Sequence, residues 1–251
     1  MMTKKRNRKQ QILELLMERP ELSVSELSRH FHVSEVTIRS DLKGLEAQGY
    51  LLRQHGGGLP TLHANVAERQ RAHIDEKTRI ARAAADLIGD LEDVMITAGT
   101  TTSLIPRFLV GRQGVNIVTN STLLLPFVRH NPGLSVTLAG GEFRPMIEAL
   151  TGPATIRELE QFHVAKAFLG SDGITAGKGT TADSADIADV CRRMSQQARQ
   201  TIVLADASKL GREGFAHIMP ASGIDILITD TAAPLAEVER LRKKGVDVRL
   251  V

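Results

Sequence analysis

The chain has 251 residues, a hydrophobic content of 42% and a formal net charge of +3, which is enough length and apolar content for one large domain and one small one. Its single cysteine, Cys191, excludes an intramolecular disulfide and a multi-cysteine zinc site and suits a reducing compartment. No run joins a basic segment to an apolar stretch long enough for a signal peptide or a membrane span, so a cytoplasmic protein with no membrane partner is expected.

The excess positive charge sits at the N-terminus. Residues 1–60 hold 10 Lys and Arg against 7 Asp and Glu, whereas residues 61–251 hold 22 of each. Lys4, Lys5, Arg6, Arg8 and Lys9 crowd together, a placement suited to neutralising phosphates along a nucleic acid. Ile12, Leu13 and Leu16 at helical spacing predict a first helix over residues 8–18, stopped by Pro20. In Leu22-Ser23-Val24-Ser25-Glu26-Leu27, Ser23 can cap the N–H of Glu26 while the Glu26 carboxylate reaches back, with Leu22 and Leu27 as a hydrophobic staple. A second helix therefore spans residues 24–31.

After His32-Val33, Ser34 can cap a third helix, with Val33 and Ile38 as its staple. Ile38, Leu42 and Leu45 recur at i, i+4 and i+7 and face inward, which turns Val36, Thr37, Ser40 and Lys43 outward and leaves Arg39 on the flank. Two capped helices joined by a tight turn form a helix-turn-helix, whose second helix enters the major groove. Val36 and the Thr37 methyl can touch thymine methyls, Ser40 can reach a base edge or phosphate, and Arg39 and Lys43 can hold phosphates or guanine. Tyr50-Leu51-Leu52-Arg53-Gln54-His55-Gly56-Gly57-Gly58 then suggests a short β-wing, with Arg53 and His55 as its DNA contacts. The candidate DNA-binding set is Lys4, Lys5, Arg6, Arg8, Glu35, Val36, Thr37, Arg39, Ser40, Lys43, Arg53 and His55. Residues 1–58 form this module. Residues 59–75, with Pro60, Asn65 and no clear period, are expected to be a linker and the lever between the two domains.

The run Val33-Ser34-Glu35-Val36-Thr37-Ile38-Arg39-Ser40-Asp41-Leu42, then Leu45-Glu46, then Arg53-Gln54-His55-Gly56-Gly57 resembles the signature of the DeoR family of bacterial sugar-catabolism regulators. That signature usually carries a second basic residue where this chain has Ser40.

Residues 76–251 are expected to form the larger domain. An alanine-rich stretch over residues 76–89 reads as helical, and strand candidates follow at Val94–Thr97, Asn116–Thr119, Ser135–Ala139, Lys166–Gly170, Thr201–Ala205, Ile226–Thr229 and Asp247–Val251. Strands alternating with helical segments predict an α/β domain with a mostly parallel sheet covered on both faces, whose ligands bind beyond the carboxyl ends of the strands. The loops expected there are polar or glycine-rich: Ala98-Gly99-Thr100-Thr101-Thr102-Ser103, Thr119-Asn120-Ser121, Gly140-Gly141-Glu142-Phe143-Arg144, Gly170-Ser171-Asp172-Gly173 and Asp206-Ala207-Ser208-Lys209. Together they offer hydroxyl and amide donors, a carboxylate for sugar hydroxyls, and two cations for a phosphate. The candidate effector-binding set is Gly99, Thr100, Thr101, Thr102, Asn120, Ser121, Gly140, Gly141, Arg144, Ser171, Asp172, Asp183 and Lys209. No pair among His130, His163 and His217 has ligand spacing, so neither a metal nor another cofactor is expected.

These loops, with Gly170–Ile174 and Gly179-Thr180-Thr181, also resemble the DeoR-type effector domain. The resemblance implies a fold like that of ribose-5-phosphate isomerase and coenzyme A transferases. It further implies a repressor of a carbohydrate or polyol operon, released from operator DNA by a phosphorylated sugar or sugar alcohol. After Thr181 many relatives continue with an aromatic or apolar residue, Asn and Glu, where this chain has Ala182, Asp183 and Ser184. An isomerase-like enzyme would need a carboxylate base, for which Asp172 and Asp183 are the strand-end candidates, and no enzyme activity is expected. The remaining alternative is a DNA-binding protein whose C-terminal domain only oligomerises. One small module contacts too little DNA for specific repression, so a homodimer or homotetramer is expected.

Overall fold

The structure, a computed structural model, describes residues 8–47, 50–54, 57–129 and 131–251. It divides into two compact units, residues 1–72 with 145–147 and residues 73–144 with 148–251. In the first unit α1 (Arg8–Glu18), α2 (Val24–Phe31) and α3 (Glu35–Ala47) precede an antiparallel hairpin of β1 (Leu51–Gln54) and β2 (Gly57–Pro60), and α4 (Ala64–Arg71) follows. The expected capping box is present. Ser23 Oγ accepts the Glu26 N–H at 3.3 Å, and Glu26 Oε2 accepts the Ser23 N–H at 2.8 Å and the Ser23 hydroxyl at 2.6 Å. Helix α2 ends on His32 in the left-handed region, φ 51, and Ser34 Oγ accepts the Thr37 N–H at 3.2 Å to start α3.

Ile12, Leu13, Leu16, Leu27, Ile38, Leu42 and Leu45 are fully buried and share one core with Leu51 and Ala67. Each large aliphatic side chain removed from water there contributes about 1.5–3 kcal/mol. The hairpin closes tightly against the helices. A Cβ at Gly57 would stand 2.7 Å from the Leu22 carbonyl oxygen, so only glycine fits. The stretch expected to be a linker, residues 59–75, is largely regular in the structure. Its first residues complete β2, and α4 buries Ala64, Val66 and Ala67. The amphipathic signal there was masked because alanine and valine, rather than leucine, form the buried face.

In the second unit α5 (Ile74–Ala85) precedes β3 (Asp93–Ile96), a 3-10 helix over Thr102–Phe108, β4 (Val115–Thr119), α6 (Leu125–Val128) and β5 (Leu134–Leu138). Then come the hairpin β6 (Glu142–Arg144) and β7 (Ala149–Thr151), α7 (Pro153–Leu159), β8 (Val164–Gly170), β9 (Gly173–Thr175), β10 (Gly179–Ala182) and α8 (Ala185–Gln196). β11 (Ala198–Leu204), β12 (Ala216–Met219), β13 (Ile226–Thr229), α9 (Leu235–Arg242) and β14 (Asp247–Leu250) complete the unit. The seven strand candidates from the sequence are the seven strands of one sheet, in the order β14-β13-β11-β8-β3-β4-β5, and every pairing in it is parallel. Val94 and Ile96 pack on one face with Ile80, Ala84 and Ile105, while Met95 packs on the other with Ala188, Met194 and Val238. That alternation yields the three-layer α/β sandwich expected for a parallel sheet.

The Ser23 cap carries a pH signature. Hydrogen bonds from Ser23 hold the Glu26 carboxyl below the usual carboxylate range. Its folded pKa is thus lower than its unfolded one, and the stabilisation is complete above the unfolded value and lost as pH falls through the folded one. Ser23→Ala should lower the stability of the first unit by about 1 kcal/mol at neutral pH. The deficit should shrink in acid, as read by chemical denaturation at several pH values.

Candidate functional site

Where neighbouring parallel strands send their connections to opposite faces, a crevice opens beyond their carboxyl ends. Here the reversal falls between β3 and β8. The chain lays β3, β4 and β5 in one direction, then returns to set β8, β11, β13 and β14 on the other side of β3. The connection after β3 leads to Leu104 and Ile105 in the core with α5, whereas β8 leads through β9 and β10 to α8 on the opposite face. The loops 97–102 and 171–172 therefore part at this point, and the loops after β4, β5 and β11 flank them.

Many polar groups at this edge hold the loops themselves. Thr97 Oγ1 accepts the Gly170 N–H at 3.1 Å and so ties the ends of β3 and β8 together. Thr102, fully buried, donates its hydroxyl to the Thr97 carbonyl at 2.7 Å. Asn120 Oδ1 accepts the Ala98 N–H at 2.8 Å, and its amide donates to the Leu150 carbonyl at 3.0 Å. Ser121 Oγ caps the Leu123 N–H at 3.2 Å, and Ser171 Oγ donates to the Gly173 carbonyl at 2.7 Å. The Gly140 N–H donates to the Glu158 carboxylate, and its carbonyl accepts the Thr155 hydroxyl at 2.6 Å. Gly141 has φ 144, and a Cβ on it would stand 2.0 Å from Thr155 Oγ1. No other residue fits that corner.

A second set of groups is left without such work. The N–H groups of Gly99, Thr100 and Thr101, and the hydroxyls of Thr100 and Thr101, have no hydrogen-bond partner among the described residues. Lys209 has no ion pair there either. Its loop is fixed beneath it by two buried aspartates: Asp206 Oδ1 accepts the Ser208 N–H at 3.1 Å, and Asp230 Oδ2 accepts the Ala207 N–H at 2.7 Å. Asp172 Oδ2 accepts the Asp183 N–H at 3.0 Å. Arg144 and Asp183 have opposite charges beside them. Arg144 lies 3.0 Å from Glu142 and 3.3 Å from Asp186, and Asp183 lies 3.0 Å from Arg212. Burial, and next the charge of Asp172, push the Cys191 thiol up to about 12, which leaves it no nucleophilic thiolate near neutral pH. Among the described residues no group of three or more His, Cys, Asp or Glu is placed to hold a metal ion.

On the first unit, α3 presents Val36 at 75% exposure together with exposed Ser40 and Lys43. Arg39 pairs with Glu35 at 2.9 Å, and the Thr37 hydroxyl lies 2.9 Å from that of Ser34. Arg8 is held otherwise than a free basic arm would be. Its Nε lies 2.6 Å from the Asp41 carboxylate, which ties α1 to α3 and raises the pKa of the guanidinium. Arg53 is exposed on β1. Lys4, Lys5, Arg6 and His55 lie outside the described residues.

Residues 72–231 match the family model of the DeoR C terminal sensor domain, and residues 8–59 match that of the DeoR-like helix-turn-helix domain. The chain belongs to the DeoR family. It is 32% identical to the putative aga operon transcriptional repressor of Escherichia coli O157:H7, over 97% of this chain and 93% of that protein. To the transcriptional repressor GlcR of Bacillus subtilis strain 168 it is 34% identical, over 94% and 93%. To the glycerol-3-phosphate regulon repressor of Escherichia coli K12 it is 30% identical, over 95% and 96%. Among solved structures, ribose-5-phosphate isomerase A of Methanocaldococcus jannaschii aligns with 55% of each chain, at 18% identity and a TM-score of 0.41. This DeoR-family chain is a helix-turn-helix transcription regulator rather than an enzyme. No helix among its described residues is long and apolar enough to cross a membrane.

The candidate set from the sequence left out Arg212, Thr155, Glu158, Asp230 and, although its loop was singled out, Asp206. Asp206 and Asp230 had a usable signal, since an aspartate just after an apolar strand run is a capping residue. The others carry none, because their partners lie 15 to 29 residues away along the chain. The division between holding and unengaged groups predicts different stabilities. Asn120→Ala strands the Ala98 N–H and the Leu150 carbonyl and should lower the stability of the sensor unit by about 1–3 kcal/mol for each. Lys209→Ala should change it by no more than about 0.5 kcal/mol. Denaturant titration of the two variants measures the contrast, and equal losses would contradict the division.

Proposed function

We propose that this DeoR-family regulator represses a carbohydrate or polyol catabolic operon and is released from its operator by a phosphorylated sugar or sugar alcohol bound in the crevice between β3 and β8. The observation that carries the reading is the unengaged set at the reversal of the sheet. Its members, the Gly99, Thr100 and Thr101 amides and the Thr100 and Thr101 hydroxyls, suit phosphate oxygens, and Lys209 supplies the compensating charge. Asp172, outside that set and already engaged by the Asp183 N–H, offers a carboxylate to sugar hydroxyls. The printed name of the glycerol-3-phosphate regulon repressor supports a polyol phosphate among the compounds to try. In the first unit Val36, Ser40 and Lys43 face the major groove and Arg53 meets the backbone from the wing. A homodimer or homotetramer sets two such modules on paired half-sites.

The effector must bind the DNA-incompetent state more tightly, because equal affinity shifts nothing. A coupling of about 1–3 kcal/mol weakens operator binding roughly 5- to 150-fold. The covalent lever is shorter than residues 59–75, since α4 belongs to the first unit and the second begins at His73. Anisotropy titration of promoter DNA at fixed salt, with and without a panel of sugar and polyol phosphates, is the direct test. One phosphorylated compound should release the DNA and its unphosphorylated form should not. Thr101→Ala and Lys209→Ala should keep operator affinity and lose release; loss of operator binding in both would overturn the assignment of these residues. Lys43→Ala should weaken binding to all sequences alike and lower the slope of log K against log salt by about 1, if Lys43 contacts phosphate.

A further inference from the structure

The amino edge of the seven-stranded sheet, opposite the crevice, carries features with no part in effector binding. Between the starts of β3, β8 and β11 lies a cleft of about 530 Å³ lined by Leu91, Asp93, His163, Gln197 and Arg199 among others. Leu91 is 84% exposed although its backbone is left-handed, φ 56, a conformation that carries a steric cost for a branched L residue. Its side chain lies across Gly114, where a Cβ would come within 2.6 Å of Leu91 Cδ2. Its N–H donates to the Gln113 carbonyl at 2.9 Å, so the turn is fixed and the leucine stands out in water as an apolar knob. Val110, on the loop that ends at Gly114, is 82% exposed.

Charged side chains line the cleft beside the knob. Arg199 is exposed and has no carboxylate partner among the described residues. Asp93, beside it on the same edge, is engaged only through Oδ1 by the Asn116 amide at 2.7 Å. One patch thus holds a knob and a cleft, an anion and a cation. A two-fold contact requires this self-complementarity, because the same surface must meet itself.

We infer that the amino edge is the contact between two copies of this chain, in which each copy's Leu91 enters the other's cleft and Asp93 of one meets Arg199 of the other. The inference rests on the homo-oligomeric reading proposed above and names its surface. Assembly through this edge leaves the carboxyl edge open to an effector.

Sedimentation equilibrium of the full chain tests it. The parent protein should be oligomeric, and Leu91→Asp, Asp93→Arg and Arg199→Asp should each raise the dissociation constant of one interface, for Leu91→Asp by about a hundredfold. All three sites are exposed, so the circular dichroism spectra of the variants should match that of the parent. The double exchange Asp93→Arg with Arg199→Asp should regain assembly. Variants that assemble like the parent, or single exchanges that the double does not rescue, overturn the surface alone. A monomeric parent overturns the oligomeric reading and the surface together.

Discussion

Everything in the sensor unit depends on one topological constraint, the reversal of strand order between β3 and β8. Inside a parallel sheet each strand satisfies its neighbours' backbone groups, but at a carboxyl edge the last N–H and C=O groups must find other partners. Two adjacent connections that leave to the same face can serve one another. At the reversal they part, and side chains have to do the bridging. Thr97 crosses it with a 3.1 Å hydrogen bond from the Gly170 N–H of β8, Thr102 ties the connection after β3 back to Thr97 at 2.7 Å, and Asn120, after β4, joins Ala98 to Leu150 of β7 at 2.8 and 3.0 Å. Their burial follows from that task, since a hydroxyl or amide with all its bonds made can sit in a dry place at little cost.

This bridging sorts the polar residues of the crevice into two kinds that composition does not distinguish. Thr101 and Thr102 are neighbours with the same side chain, yet one hydroxyl is bonded to Thr97 and Gly99 and the other is bonded to nothing among the described residues. The backbone decides which is which. Thr102 opens the 3-10 helix and turns back over the end of β3, while Thr100 and Thr101 lie in the turn ahead of it. That helix spans only Thr102–Phe108 and contains Pro106, so its dipole is short. The proposed anion site would therefore draw on individual donors and on Lys209 more than on a helix terminus.

The architecture was open to sequence reasoning because its signals are local. Seven runs of β-branched and aliphatic residues mark the seven parallel strands to within a few residues, and the Ser23-Glu26 box and Ser34 mark the helix starts. The antiparallel pieces of the sensor unit did not show. β6, β7 and β9 are three residues long, too short for a period-2 pattern. The same holds for site roles. Residue type and position at a strand end put Gly99 to Thr102, Asn120 and Lys209 at the carboxyl edge of the sheet, but whether a hydroxyl is bonded or unengaged depends on loops that meet from distant parts of the chain. Arg8 shows the limit for charge as well. Its sequence neighbours suggest a free basic arm, and only the fold reveals Asp41 against its guanidinium.

The distribution of bonds also indicates where the sensor is stiff and where it can yield. The ends of β3 and β4 are held by Thr97, Thr102 and Asn120, buried groups with two bonds or more each, and form the firmer side of the carboxyl edge. The loop bearing Lys209 is different. Its base is fixed by Asp206 and Asp230, but it runs on into residues 210–214, which lie along β9 and β10 rather than on the main sheet. The Gly211 N–H donates to the Ile174 carbonyl at 2.8 Å, the Gly214 N–H to Thr181 Oγ1 at 2.7 Å, and Arg212 to Asp183 at 3.0 Å. A force on Lys209 therefore acts on a strap bonded to the small antiparallel sheet of β9, β10 and β12. Such a sheet has short strands and little core of its own, and local rearrangement there costs far less than shifting the seven-stranded layer. If the effector binds as proposed, the strap is the part of its site with the least backing from the main sheet.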